Sequence, residues 1–430
     1  MVNSLKSFFI SLKDLLKRIH SKVPPKLRFL YFPLTWGYKQ TRELYKMIYL
    51  AVFVFEGKDP SGELPFSYAY VGNRPSEQAY FYQMLLLSGF RQHSLGSHFF
   101  WEVPAIIRKS NFDCSMIIFE INLFTEIFLY RKYTLKIPCW IDMAIDISQS
   151  MEELQKLRKY RQIQRNIQEN ELDFEVTCNP ASFKEYYYDM YLPHMKKRYR
   201  DTAVIDSFSH LEPGFSHSEV FFIKQKGVAL GGTMLKYCKG GKVLCCLFAV
   251  KDGDPKYLEL GVMGANYYFP ILAMQKKGYK QIIIGGCRPF FRDGLTRYKI
   301  SLGGEIIPHF KTMKACIGLV PLKNSPALKN FLVQNPFVFY PTGRKPVRAL
   351  FVDSSQFEKQ KDFKKVFVSS NCKGLKGTRI FVFGEDNNIS QWLSTMDCSN
   401  TFIQPAENIF CAKKHAKKNG NLTQDTQNKE

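Results

Sequence analysis

No apolar run in the sequence approaches the roughly 18 residues of a membrane-crossing helix, so no span is expected. There is no CxxC pair. The eleven cysteines are scattered, and Cys245 and Cys246, neighbours on one expected strand, point to opposite faces, so no metal site is expected. An odd cysteine count without framework spacing suits a reducing compartment. Lysines interrupt the apolar residues near the N-terminus, which therefore lacks the shape of a signal peptide, and the chain reads as cytoplasmic. No internal period is visible, and no RNA-recognition or zinc motif is present. Acidic residues are few beside basic ones: Lys and Arg number 61 against 38 Asp and Glu, a formal charge of +23. Such a field favours nucleic acid, phosphorylated small molecules or an acidic membrane face as partners. The plainer interpretation is a basic surface with no specific partner.

What is present is core-forming material. At 430 residues, 45% hydrophobic and 15% aromatic, the chain can fill roughly two or three domains and is not a disordered polymer. Its most suggestive stretch runs from Leu258 to Phe310. An amphipathic helix stops at Gly278, a short apolar strand covers Gln281 to Ile284, and Gly285-Gly286 opens a turn. A charged loop from Arg288 to Lys299 follows, closed by Gly303-Gly304. A glycine pair and polar loop at a strand's carboxyl end predict a ligand mouth in an α/β sheet.

Five segments are expected. Residues 1–40 are a basic amphipathic segment, 41–150 and 151–320 two α/β units, 321–411 a small α/β appendage, and 412–430 a disordered tail. Within 4–19, Leu5, Phe8, Leu12, Leu15, Leu16 and Ile19 recur at helical spacing among lysines. That pattern fits either peripheral contact with an anionic membrane or a helix packed on the body. In the first unit, 47–55 and 66–72 are strand-like, and 75–88 is a helix opened by proline and stopped by Gly89. HFFWEVP (98–104), CSMIIFEIN (114–122) and EIFLYRKYTLKIPCWI (126–141) are further strand candidates.

A capping box, Ser150 with Glu153, opens a helix through about Asn170, whose Lys156, Arg158, Lys159, Arg161 and Arg165 suit a solvated face or a phosphate-rich ligand. The second unit continues with a strand (171–177), a tyrosine-rich helix (180–191) and a loop (191–204). Three hairpin strands follow (219–225, 228–237, 242–250), turning at Lys226-Gly227 and Gly240-Gly241. Beyond 321, RALFVDS, KKVFVSS and TRIFVFGED read as buried strands.

Four stretches together resemble the tandem GNAT acyltransferases of the Fem type, over about 45–320. They are PCWIDMAIDISQSMEELQKLRKYRQIQRNI (138–167), MYLPHMKKRY (190–199), VALGGTML (228–235) and, most specific, IIGGCRPFFRDGLTRYKISLGGE (283–305). The resemblance implies an α/β (α+β) fold of two GNAT-like domains with the active cleft in the second. It implies acyl or aminoacyl transfer to an amine of a small-molecule or lipid-linked acceptor, with no metal. The donor would be acyl-CoA or aminoacyl-tRNA, which makes tRNA a candidate partner. By the same resemblance Lys299 lies near the acceptor and the developing negative charge, Arg198 faces the cleft, and Asp293, Gly294 and Tyr298 shape its mouth. The usual pyrophosphate loop is replaced by Leu260-Gly-Val-Met-Gly-Ala265, where Gly261, Gly264 and Ala265 would offer backbone N–H groups without the usual basic residue.

Acyl transfer to an amine needs the two reactants side by side, a route for the proton and stabilisation of the oxyanion. Lys299 is the candidate for the last role, its alternative being a surface lysine on a strand. Arg288, Arg292 and Arg297 offer guanidinium forks for a carboxylate or phosphate, or loop salt bridges with Asp293. Candidate proton carriers are His194, His210, His217, His309, Glu259, Asp293 and Tyr298. Cys287, following the glycine pair, is a candidate nucleophile with no placed His or Asp partner. A binding module that retains the fold but has lost the donor site is the alternative from another class.

Overall fold

The computed structural model describes residues 40–411 apart from 42, 130–132, 309–314, 342, 344, 358, 386–387 and 397–399. The expectations for 4–19, His309 and 412–430 lie outside the described residues. The first part of the chain supplies β1 (Tyr49–Lys58), β2 (Pro65–Val71), α1 (Pro75–Leu85), β3 (Arg91–Phe99), α2 (Val103–Lys109), β4 (Met116–Ile121), α3 (Leu123–Phe128), β5 (Leu135–Pro138) and β6 (Ile141–Asp146). Next come α4 (Arg158–Glu169), β7 (Leu172–Thr177), α5 (Leu192–Tyr199), β8 (Ser218–Gln225), β9 (Val228–Cys238), β10 (Lys242–Val250), α6 (Val262–Lys276), β11 (Gln281–Cys287), α7 (Gly294–Ser301) and β12 (Glu305–Ile307). The remainder gives β13 (Cys316–Pro321), α8 (Pro326–Gln334), β14 (Phe337–Phe339), β15 (Val347–Asp353), α9 (Gln360–Ser369), β16 (Thr378–Phe383) and β17 (Thr401–Pro405).

Three sheets result, ordered β3-β1-β2-β4-β13-β5, β12-β6-β11-β10-β9-β8-β7 and β14-β15-β16-β17. The second is an antiparallel meander, β7 to β10, joined in parallel to β11 through the crossover helix α6. The first repeats part of that plan: β1 and β2 are antiparallel, and α1 leads on toward β4, which is parallel to β2. The fold is thus mixed α/β, with two GNAT-like sheets and a small α/β appendage of largely parallel strands.

Sheet membership does not follow the expected unit boundaries at 150/151 and 320/321. β6 precedes the first boundary yet lies in the second sheet, between β11 and β12. β13, which ends at Pro321, lies in the first sheet between β4 and β5. The second sheet is therefore one continuous stretch from β6 to β12, and the first is completed by β13, which returns from beyond it. Aromatic packing reinforces the joint, since Phe290 beyond β11 packs with Phe81 of α1 and Phe337 of β14.

Both hairpin turns form as expected, with positive φ at Lys226, Gly227, Gly240 and Gly241. Several other stretches differ. The loop expected over 191–204 contains α5, started by Pro193 and ended by Lys196, Lys197 and Arg198, a charge placement that suits a helix dipole. KKVFVSS lies within α9, where Phe363, Val366 and Phe367 recur at helical spacing and pack into one cluster. HFFWEVP turns from β3 into α2 at Pro104, and residues 126–128 close α3, whose start Asn122 caps. The helix expected from 150 through about Asn170 breaks at Leu157.

Candidate functional site

The second sheet forks at its centre. β10 and β11 pair only at Val243↔Ile282 and Leu244↔Ile283, although the strands run on to Val250 and Cys287. Both are irregular beyond that point. The β10–β9 register shifts between Cys246 and Ala249, with Leu247 at φ 53°, and the β11–β6 register shifts between Ile283 and Gly286, with Gly285 at φ 74°. A positive φ is natural for glycine and strained for leucine, so Leu247 needs outside support. The buried Tyr186 hydroxyl, with one proton to donate, lies within hydrogen-bond reach of both Leu247 O and Gly232 O, the latter at 2.8 Å. Gly232 is what admits the ring, because a Cβ there would stand 2.9 Å from Tyr186 Cε2. Asn266 of α6, fully buried, holds Ala249 O at 2.9 Å.

Lys299 sits in this fork. It is 2% exposed, and its Nζ donates to Gly285 O at 3.0 Å and Gly286 O at 2.8 Å. These bonds use two of the ammonium's three N–H groups. Burial pulls its pKa down, and the thiol of Cys287, the carboxylate of Asp142 and the thiol of Cys245 oppose that pull. The sequence reading missed Asp142, a buried carboxylate in the apolar run of β6. Its signal was a charged residue set among the apolar Ile141, Met143, Ala144 and Ile145.

The rims and floor of the fork are aromatic. Phe248 stacks on Tyr267 at 4.2 Å, and Tyr267 meets Tyr298 at 5.5 Å. Tyr267 is 2% exposed, so packed side chains occupy the hollow expected there. Leu244, Cys246, Leu247 and Phe248 on β10 and Gly285 and Gly286 on β11 are half-buried. Lys159 of α4 reaches over the Tyr298 ring at 4.9 Å and brings positive charge to this edge.

The sequence-predicted residues are only partly brought together. Lys299 and Tyr298 lie on a helix, α7, where a charged loop was expected. Asp293 is the reason: its carboxylate accepts from Leu295 N at 3.0 Å and Thr296 N at 3.1 Å, so the Asp-Gly pair starts a helix. Asp293 thus acts as a cap, and Gly294 is the exposed first residue of α7, with nothing within 4 Å of where a Cβ on it would stand.

Arg288 is committed through Nη1 to an internal ion pair, while its buried Nη2 has no hydrogen-bond partner among the described residues. It is buried, with Nη1 2.6 Å from Glu77 Oε2 of α1, and its guanidinium lies between the rings of Tyr80 and Trp140 at 4.2 and 4.1 Å. Arg292 is exposed and reaches Gln334 Oε1 at 3.3 Å, and Arg297 is exposed on α7. Arg198 is exposed at the end of α5, 5.9 Å from the Tyr199 ring.

Among the proton-carrier candidates, His210, His217 and Glu259 are exposed, whereas His194 is buried and pulled down to about 4 by burial and by Arg198. Burial pushes the Cys287 thiol up to about 11 despite Lys299, which leaves it a poor nucleophile near neutral pH. Burial raises Tyr298 well above the ordinary phenol value.

The glycines at 261–265 serve packing. A Cβ on Gly261, whose φ is 87°, would stand 2.7 Å from Asn166 Cβ, and one on Gly264 would stand 2.8 Å from Ile163 Cγ1. Ala265 is fully buried. Gly261 N already donates to Leu258 O at 3.1 Å. The expected phosphate cradle is therefore covered by α4, and the glycines let α4 and α6 approach closely. A surface cavity of about 310 Å³ lies at the opposite end of β10 and β11, lined by Gly241, Lys242, Gly278, Tyr279, Lys280, Gln281 and Ile283. Among the described residues no cluster of metal-ligating side chains occurs, and no helix is long and apolar enough to cross a membrane.

No family model matches the chain, and no curated protein matches it. Solved structures similar to it include the C-terminal domain of a candidate lysylphosphatidylglycerol synthetase from Agrobacterium fabrum, 13% identical, covering 62% of this chain and 80% of that one with a TM-score of 0.32. L-PGS from Bacillus licheniformis is 10% identical, covering 65% and 87% with a TM-score of 0.31. A GCN5-related N-acetyltransferase-like protein from Streptococcus suis is 12% identical, covering 63% and 82% with a TM-score of 0.27. These superpositions are too loose to carry an argument about activity and do not single out the Fem type. The fold assignment rests on the strand order and crossover described above.

Proposed function

We propose that the chain is an acyltransferase whose donor lies along the fork between β10 and β11 and whose acceptor is an amine of a polar molecule. The observation that carries this reading is the buried ammonium of Lys299 on the carbonyls of Gly285 and Gly286. Keeping a cation out of water is costly, and two carbonyls alone return little of that cost. A positive charge held ready at the mouth of a strand fork suits an oxyanion that forms only during reaction. The third N–H of Lys299 is the donor for that oxyanion. The half-buried rim of β10 suits an extended, amide-bearing arm, since unpaired strand edges recognise such chains by backbone hydrogen bonds. An acyl-CoA and an aminoacyl-tRNA both present such a reactive end. A small-molecule or lipid-linked amine would meet it from the side of α7.

A second reading, a binding module without chemistry, is favoured by one specific observation. Asn166 and Ile163 fill the places at Gly261 and Gly264 where a pyrophosphate would sit. Titrating the whole chain with acetyl-CoA, with free coenzyme A and with bulk aminoacyl-tRNA, followed by calorimetry, separates the two. Saturable binding of one donor, with an affinity little changed by Lys299→Met because its third N–H acts only on the oxyanion, supports the transferase. Binding of none supports the module.

A further inference from the structure

Away from the fork, five large apolar side chains stand exposed together on the first half. Trp101 is 57% exposed, Phe128 64%, Ile127 53%, Leu44 49% and Met47 42%. They form one patch, because Trp101 and Phe128 both pack on Phe100, at 4.9 and 5.2 Å, and Trp101 stacks on Phe99 at 4.7 Å. Phe100 N donates to Ile48 O at 2.9 Å, and Asn122 Nδ2, which starts α3, holds Met47 O at 2.9 Å, so the helical segment over 43–48 belongs to the same surface. Nothing in the fork uses these residues.

We infer that this patch inserts into the interfacial layer of an anionic lipid bilayer. The residues lie in the turn after β3, on α3 and in the segment leading into β1. Side chains left 42% to 64% exposed can enter a fluid interface. The patch offers ~500 Å² of apolar surface, taking ~200 Å² for each side chain when fully exposed. That is below the ~800 Å² per partner of a stable protein interface, which argues against a second copy. Exposed Trp, Phe and Leu on a basic chain is the composition of an interfacial anchor. Arg108 and Lys109 stand exposed on α2, while the exposed Glu43, Glu102 and Glu126 lie beside the patch, so the preference for anionic lipid rests on the +23 charge of the whole chain. The sequence also carries an apolar stripe set among lysines at 4–19.

The test uses the whole chain with phosphatidylcholine vesicles and with mixed phosphatidylcholine–phosphatidylglycerol vesicles. Co-sedimentation measures affinity, and the difference in emission between the wild type and Trp101→Phe isolates the Trp101 signal. The expected result is binding to the mixed vesicles with a blue shift of Trp101 emission, quenched by brominated lipid. The triple variant Trp101→Ser, Ile127→Ser, Phe128→Ser should lose at least tenfold in affinity with its melting temperature kept. Unchanged affinity in that variant would overturn the inference, because binding would then lie elsewhere. So would Trp101 emission that neither vesicle moves, or a dimer in sedimentation velocity that the triple variant dissociates. This outcome is independent of donor binding at the fork.

Discussion

Arg288 and Glu77 meet at 2.6 Å, each almost wholly out of solvent, and so tie the end of β11 in the second sheet to α1 beside the first. Removing one member leaves the other charge buried and alone. Arg288→Met should destabilise the chain by ~3–5 kcal/mol. The double variant Arg288→Met, Glu77→Met should recover most of that loss, because no bare charge remains. Urea unfolding of both variants decides it, and equal losses would show that the pair matters only as packing.

Gly261→Ala tests what the glycines before α6 do. At φ 87°, with Asn166 Cβ 2.7 Å from the added methyl, the substitution should cost ~1–3 kcal/mol of stability. Donor affinity should stay the same wherever the variant is folded. A phosphate cradle would give the reverse result, affinity lost and stability kept.

Tyr186→Phe removes the single O–H donor shared between Leu247 O and Gly232 O. The expected cost is ~1–3 kcal/mol for a buried carbonyl left without its donor. Amide exchange at Leu247–Val250 should accelerate more than elsewhere in the second sheet. Uniform acceleration across the sheet would mean that Tyr186 supports the whole packing rather than the kink in β10.

His194 gives a pH signature. Its folded pKa is pulled from 6.5 down to about 4, chiefly by burial. Between those values the unfolded chain binds a proton that the folded chain refuses, so this contribution is complete above pH 6.5 and is lost as pH falls toward 4. The loss is at most ~3 kcal/mol for one histidine. The difference between urea midpoints at about pH 7 and about pH 5 should shrink in His194→Gln. An unchanged difference would assign the acid sensitivity to another group.

Much of the fold was legible in the residues. The hairpin turns at Lys226-Gly227 and Gly240-Gly241 specify the meander, and the crossover from Gly278 into the apolar strand specifies β11. The early start of the second sheet at β6 and the return of β13 to the first were not legible, because nothing local to Ile141–Asp146 or Cys316–Pro321 says which sheet each strand will join. That choice is made by long-range pairing. The site was half legible. Lys299 and its glycine pair stand out in sequence, whereas Asp-Gly signals both a turn and a helix cap, and only the bonds from Leu295 N and Thr296 N decide for the cap. Gly261 and Gly264 carry the same ambiguity, since a glycine admits either a phosphate or a neighbouring helix.

The most direct test of the account is transfer itself, measured with acetyl-CoA and with bulk aminoacyl-tRNA as donors over a panel of amines, for the wild type, Lys299→Arg and Lys299→Met. The account predicts transfer from one donor, a fall of ~10²–10³ in kcat for Lys299→Met with KM little changed, and partial activity in Lys299→Arg. Because burial holds Lys299 below the ordinary lysine value of 10.5, wild-type activity should fade on the alkaline side earlier than an exposed lysine would allow, and that limb should move to higher pH in Lys299→Arg. Transfer that survives unchanged in Lys299→Met, or no transfer from either donor, would contradict it.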